Sequence, residues 1–245
     1  MSSRSVAATA ARVLAQLRRD TRTVALLFVV PCVLLALLKY LFDDQPGTFD
    51  RVGVPLVGLF PFLQLFIVTS VTMLRERTSG TLERLMASPL GKLDLLAGYA
   101  AAFALLAALQ ATVVATFALT VLGLNSSAPA LAVIALAVAN ALLGMSLGLL
   151  ASAFARTEFQ AVQFMPAFIL PQLLLCGLFV PRERMANALE MLANALPATY
   201  AYDALDRLAN HGGLGSRGTV DVAVVLTLTV VALLLGAATL RRTTA

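Results

Sequence analysis

The sequence predicts an all-α membrane protein of six transmembrane helices, with a short amphipathic helix before them. Three observations carry that prediction. Of the 245 residues, 60% are hydrophobic and 13% charged, and the mean hydropathy is +0.88. A soluble domain holds about 45–50% apolar and about 25% charged residues. The apolar residues fall in runs of roughly 20, the length that crosses about 30 Å of hydrocarbon. Those runs are rich in Gly, Ala and Leu and lack the period-two alternation of barrel strands.

Residues 1–23 come first. Val6, Ala10, Val13, Leu14 and Leu17 share one helical face, with Arg4, Arg12, Arg18 and Arg19 mostly elsewhere. That pattern predicts a helix lying in the inner interface. No A-x-A site follows the first apolar run, so a cleaved leader is not expected. The six spans are Val24–Phe42, Val52–Leu74, Leu95–Leu122, Ala130–Phe154, Ala161–Val180 and Val220–Leu240. Pro31, Pro55, Pro61, Pro166 and Pro171 lie inside them. In lipid, prolines are tolerated as kinks where neighbouring helices satisfy the freed backbone.

Two segments between spans are more than linkers. Residues 75–94 form a charged hairpin after the second span. Ser79-Gly80 is placed to cap a helix, with Glu83 in its first turn near the positive end of the dipole. Leu82, Leu85 and Met86 make one narrow apolar stripe, and Ser88-Pro89 stops the helix after about two turns. A helix that short does not stand alone in water. Its stripe needs a cover, either the membrane surface or a partner protein. Residues 181–218 read as an outer helical pair. Met185, Leu189, Leu192 and Leu196 repeat at helical spacing, Pro197 breaks the repeat, and Thr199–Leu208 resumes it with Tyr202, Leu205 and Leu208 inward. Asn210-His211-Gly212-Gly213 closes the pair in a turn. The first apolar face is expected to be buried against the span ends. Arg182, Glu183, Arg184 and Glu190 are expected at the headgroup or water edge.

Charge sets the expected orientation. With the N-terminus in the cytoplasm, twelve of the 18 Lys and Arg lie inside and six outside, while five of the 13 Asp and Glu lie inside and eight outside. Both termini and the 75–94 hairpin are therefore expected on the cytoplasmic side of a cell (inner or plasma) membrane. Anionic lipid accounts for the net charge of +5 without a nucleic-acid partner.

The search for chemistry returns mostly exclusions. The single histidine, His211, rules out a multi-histidine zinc site and a Ser–His relay. Cys32 and Cys176 sit in apolar spans as small hydrophobes. Gly91-Lys92 lacks the glycine five residues earlier that a phosphate loop needs, since Met86 stands there. No ATP site of that kind, no metal site and no catalytic residue is expected in this chain. Paired intramembrane carboxylates are missing, which weakens ion coupling. Gln64, Gln110, Asn140, Gln163 and Gln172 must face other helices or a cavity. Gly144 and Gly148 form a GxxxG pair suited to close helix contact.

Arg75-Glu76-Arg77, Gly80-Thr81-Leu82-Glu83 and Ser88-Pro89-Leu90 follow a recognisable pattern. So do Leu170-Pro171-Gln172, Gly177, Pro181, Met185 and Pro197-Ala198-Thr199-Tyr200. In this order, and over nearly the whole chain, they resemble the type-2 ABC exporter permeases of the drug-resistance kind. The resemblance implies a single permease domain (1–245) that works with two copies of a separate ATPase subunit, which would hold ATP and Mg. A second permease, as homodimer or related heterodimer, would complete the path. It implies that the hairpin is a coupling helix, with Arg75, Glu76, Arg77, Gly80, Thr81, Leu82, Glu83, Arg84, Ser88 and Pro89 transmitting the ATPase motion. From helical spacing, Phe60, Gln64, Phe164, Phe168 and Gln172 are expected along the path, and Met185, Leu189, Leu192 and Leu196 at an outer gate. A path so lined suits an amphipathic drug or lipid-like substrate, as in antibiotic efflux. Export of a glycan or other polar metabolite, and a non-transporting scaffold or channel, are the alternatives.

Overall fold

A computed structural model describes residues 3–80 and 92–239, and these are helical almost throughout, with no strand among them. In chain order the helices are α1 (Ser3–Arg19), α2 (Thr21–Leu41), α3 (Pro46–Thr78), α4 (Lys92–Thr120), α5 (Ala130–Ala151), α6 (Glu158–Phe164), α7 (Leu170–Leu175), α8 (Asn187–Ala195), α9 (Pro197–His211) and α10 (Gly215–Ala238). Among the described residues, five helices are long and apolar enough to cross a membrane: α2, α3, α4, α5 and α10.

The fifth expected span, 161–180, departs from expectation. It is three consecutive segments of 7, 5 and 6 residues: α6, a π-helical turn over Met165–Ile169, and α7. The N–H of Leu170 donates to Met165, five residues back. Proline is the physical reason. In a straight α-helix the ring of Pro171 would meet the carbonyl of Ala167, and widening one turn makes room for it. The helical run then stops at Cys176, before Gly177 at φ +109°.

α3 is the axis of the fold. Its 33 residues reach roughly 50 Å at 1.5 Å per residue, longer than a bilayer's hydrocarbon. α5 packs along it at backbone contact. A Cβ on Gly144 would fall on the carbonyl oxygen of Phe62, with the Phe62 carbon and Cα at 2.7 and 2.8 Å, and one on Gly148 would meet Phe66 and Thr69. Thr69 donates across the seam to the Met145 carbonyl at 3.1 Å. The GxxxG expectation thus holds, with α3 as the partner.

Polar side chains in the spans bond helix to helix. Gln110 is fully buried, donates to the Leu27 carbonyl at 3.0 Å, and bonds Gln64. Asn140 donates to the Ala201 carbonyl at 3.1 Å and so fastens α9 onto α5. Gln163 instead lies exposed. Both cysteines are free, with Cys176 buried and Cys32 half-buried.

Two further features bear on the sequence reading. Ser79-Gly80 closes α3. The Ser79 N–H returns to the Arg75 carbonyl at 2.9 Å, and Gly80 takes φ +70°, the left-handed geometry of a C-terminal cap. The expected coupling helix, with Thr81, Leu82, Glu83, Arg84, Leu85, Met86, Ser88 and Pro89, lies outside the described residues. α1 differs from expectation, because Thr9, Ala10, Val13 and Leu17 are covered by protein. A Cβ on Gly98 of α4 would press on Thr9 and the Val6 carbonyl, so α1 and α4 touch closely. The apolar stripe of α1 is thus a protein contact in large part.

Candidate functional site

The last turn of α3 carries Arg75, Glu76 and Arg77. Successive helix residues point about 100° apart, so three in a row reach three directions. Each finds a different helix. Arg75 makes a two-pronged contact to Glu158 at the start of α6, with Nε to Oε1 at 2.7 Å and Nη2 to Oε2 at 2.8 Å. These bonds hold the Glu158 carboxyl below its usual range. The pair is more than half exposed and contributes about 0–1 kcal/mol, so its role is geometric. Glu76 is 4% exposed and faces Arg12 of α1, with Oε1 at 3.5 Å from Nη1. The Arg12 guanidinium also lies 5.5 Å over the Tyr99 ring and donates to its hydroxyl. Arg77 donates to Thr239 at the end of α10, at 3.3 Å. One turn therefore ties the root of the 75–94 hairpin to α1, α4, α6 and α10.

An apolar cavity of about 300 Å³ lies between α3, α5 and the broken helix. Phe164, Phe168 and Gln172, three of the residues expected along a path, line it together with Phe66, Leu147 and Phe154. The rings of Phe164 and Phe168 meet edge to face, with centroids 5.7 Å apart. Phe168 is 61% exposed. Gln172 is held from both sides. Its Nε2 donates to the Phe168 carbonyl at 3.0 Å and its Oε1 accepts from the Ala198 N–H at 3.2 Å. The π turn lies within this wall and sets where Phe164 and Phe168 stand relative to each other. Phe60 and Gln64 do not line this cavity, and Gln64 is engaged with Gln110. Helical spacing along one element could not show which residues of α3 face the broken helix. Phe66, Leu147 and Phe154 were missed for the same reason, having only their apolarity to mark them.

At the opposite end of α3 the expected burial is overturned. Leu189 and Leu192 of α8 are 46% and 50% exposed, and it is Ala193 that is fully buried. Met185 precedes α8 in extended backbone and Leu196 follows it, so neither continues its face. The reason is the solvent. A leucine stripe turned away from the protein costs little where lipid tails surround it, so periodicity cannot tell a core face from a lipid face. α9 does pack inward as expected, with Leu205 and Leu208 buried and Gly212 capping it at φ +68°.

Arg182 is likewise not a rim charge. It bonds Asp203 of α9 and Asn194 of α8, the latter at 2.8 Å. Arg207 lies 3.4 Å from Asp221 of α10. Burial pushes the Asp203 carboxyl up to about 6, against the pull of Arg182, with Asp221 and Asp206 adding to the rise and Arg207 opposing it. The folded protein thus holds a proton there that the unfolded chain releases. Stability should fall as pH rises from about 4 to about 6 and level off above. Asp203→Asn should flatten that part of a melting-temperature profile. Superimposable profiles for parent and variant would remove Asp203 as the titrating group.

Comparison with known proteins identifies relatives of the chain. The family model described as ABC-2 type transporter matches residues 4–208. The chain is 30% identical over 156 residues to ABC transporter G family member 20 of Dictyostelium discoideum, covering 64% of this chain and 21% of that protein. It is 29% identical over 148 residues to the probable multidrug ABC transporter permease YbhR of Escherichia coli (strain K12), covering 60% of this chain and 40% of that protein. The matched region thus spans about a fifth and two fifths of those relatives.

Proposed function

Because the chain belongs to the ABC-2 type transporter family, we propose that it is the membrane-spanning permease of an ATP-driven exporter. Two copies, or one copy and a related permease, would enclose the path. A separate ATPase subunit, also in two copies, would hydrolyse ATP with Mg. The observation that carries this reading is the last turn of α3, where Arg75, Glu76 and Arg77 engage α6, α1 and α10. A push on the 75–94 hairpin at that point reaches four helices at once, as alternating access requires. The hairpin would be the contact with the ATPase and would face the cytoplasm with both termini, α6 and α7 completing a sixth, broken span.

The substrate we assign is an amphipathic drug or lipid-like molecule. The cavity of Phe66, Phe164 and Phe168 has one well-fixed polar group, Gln172, which is poor furniture for a glycan. The outer helical pair, with the Arg182–Asp203 contact at its root, would be the element that opens to release substrate.

Coupling is tested by Glu83→Arg in the assembled transporter. The variant should reach the membrane folded and lose most of the substrate-stimulated ATPase activity. Full stimulation in the variant would refute the coupling assignment. Orientation is tested with single cysteines at Thr78 and Asn210 in a background without Cys32 and Cys176. An impermeant thiol reagent on intact cells should label position 210 and not 78, and the reverse would overturn the topology.

A further inference from the structure

We propose that a cleft between α1, the start of α2 and α3 binds the ammonium group of an alkylammonium amphiphile. The cleft holds about 270 Å³ and is separate from the cavity of Phe168. Its walls are apolar, from Val13 and Leu17 of α1 and Ile67, Val68 and Val71 of α3. At its polar end stands Glu76, whose side chain is only 4% exposed. One carboxylate oxygen of Glu76 faces Arg12, and the other, Oε2, is buried with no hydrogen-bond partner among the described residues. A buried carboxylate oxygen without a donor is costly, and a donor arriving from outside relieves that cost.

The sign of the ligand follows from what the lining charges already do. Arg75 lines the cleft, but its Nε and Nη2 are paired with the carboxylate of Glu158, which does not line it, and that pair neutralises its charge. Arg12 is engaged by Tyr99, Glu76 and Gln16. Asp20 stands at the mouth, its oxygens accepting from Thr23 at 3.1 and 2.7 Å. The charged lining is thus two carboxylates and one guanidinium that is already paired, with Gln16 and Thr72 as neutral polar neighbours. A phosphate or carboxylate headgroup meets the repulsion of Glu76 and Asp20, whereas an ammonium finds Glu76 within and Asp20 at the entrance. The apolar walls take the first methylenes of its chain. An ammonium of this kind reaches the cleft from an aminophospholipid headgroup or from a soluble amphiphilic amine. The site does not rest on the transport reading, because binding is measured without transport.

The experiment is native mass spectrometry of the full chain released from maltoside micelles. The added probes are phosphatidylethanolamine, phosphatidylglycerol and dodecylamine. One saturable adduct is expected with the ammonium-bearing probes, at least ten-fold weaker in Glu76→Gln. Val68→Phe, which fills the cleft without touching the charges, should weaken it similarly and decides the matter if Glu76→Gln fails to fold. Retention of phosphatidylethanolamine alone identifies a lipid as the source, and retention of dodecylamine alone identifies a soluble amine, and either supports the site. Equal retention of phosphatidylglycerol, full occupancy in folded Val68→Phe, or no saturable adduct in the parent overturns it.

Discussion

Gly144→Ala is expected to lose about 1–3 kcal/mol of stability or more, although alanine is the better helix former. The added methyl would sit on the Phe62 carbonyl oxygen, with further backbone atoms at 2.7 and 2.8 Å. Overpacking against a side chain is relieved by a new rotamer. Here the obstacle is the backbone of α3, so the two central helices must separate. Separation also pulls Thr69 from the Met145 carbonyl and opens the close contact at Gly148. The control is Gly47→Ala near the start of α3, where an added Cβ has nothing within 4 Å. That change should be neutral or should stabilise by up to about 1 kcal/mol. Thermal unfolding of the purified variants in detergent reads both. A Gly144→Ala protein that melts with the parent would mean that α3 and α5 do not touch as described.

Glu76→Ala is expected to be nearly as damaging, and in a way that is specific to Arg12. Removing one partner of a buried pair leaves the other charge uncompensated, which costs about 3–5 kcal/mol for a fully buried site. Arg12 is 34% exposed, so water recovers part of that. Arg12→Ala alone should cost at least as much, since it strands the more deeply buried charge, Glu76 at 4% exposed, whereas Arg12 without Glu76 keeps the Tyr99 hydroxyl and part of its water. The double variant should cost less than the sum of the two singles, because the residues share one network. In the assembled transporter Glu76→Ala should also lower substrate-stimulated ATP hydrolysis beyond what reduced folding explains, since α1 is released from the root of the hairpin. Additive single and double effects, with normal stimulation, would mean that the two residues act independently.

Much of the architecture was legible because membrane and helix impose long, simple signals. The apolar runs located every long helix among the described residues, while the helix ends reached beyond the runs, as at Pro46 of α3 and Gly215 of α10. Asp20 starts α2 at Thr21, three residues before the apolar run begins. The glycine pair pointed to a close helix contact, although not to which helix. Gln110 and Asn140 read correctly as groups needing partners, since a neutral polar group in lipid has few alternatives. The site was legible in part. Phe164, Phe168 and Gln172 share a helical face and do meet at one cavity. Phe60 and Gln64 belong to another helix, whose rotation relative to the first is not written in either segment.

The sequence by itself determined the solvent and the long helices, because length, hydropathy and local capping act within a few residues of where they are written. Only the tertiary structure decided which face of each helix is core and which is left exposed, since both are apolar. It decided that α8 buries Ala193 and leaves Leu189 and Leu192 outside. It decided that the prolines at 166 and 171 widen a turn instead of merely bending the helix. It also decided that Arg75, Glu76 and Arg77, adjacent in the chain, serve three different helices, because a 100° step per residue has meaning only once the neighbours stand around it.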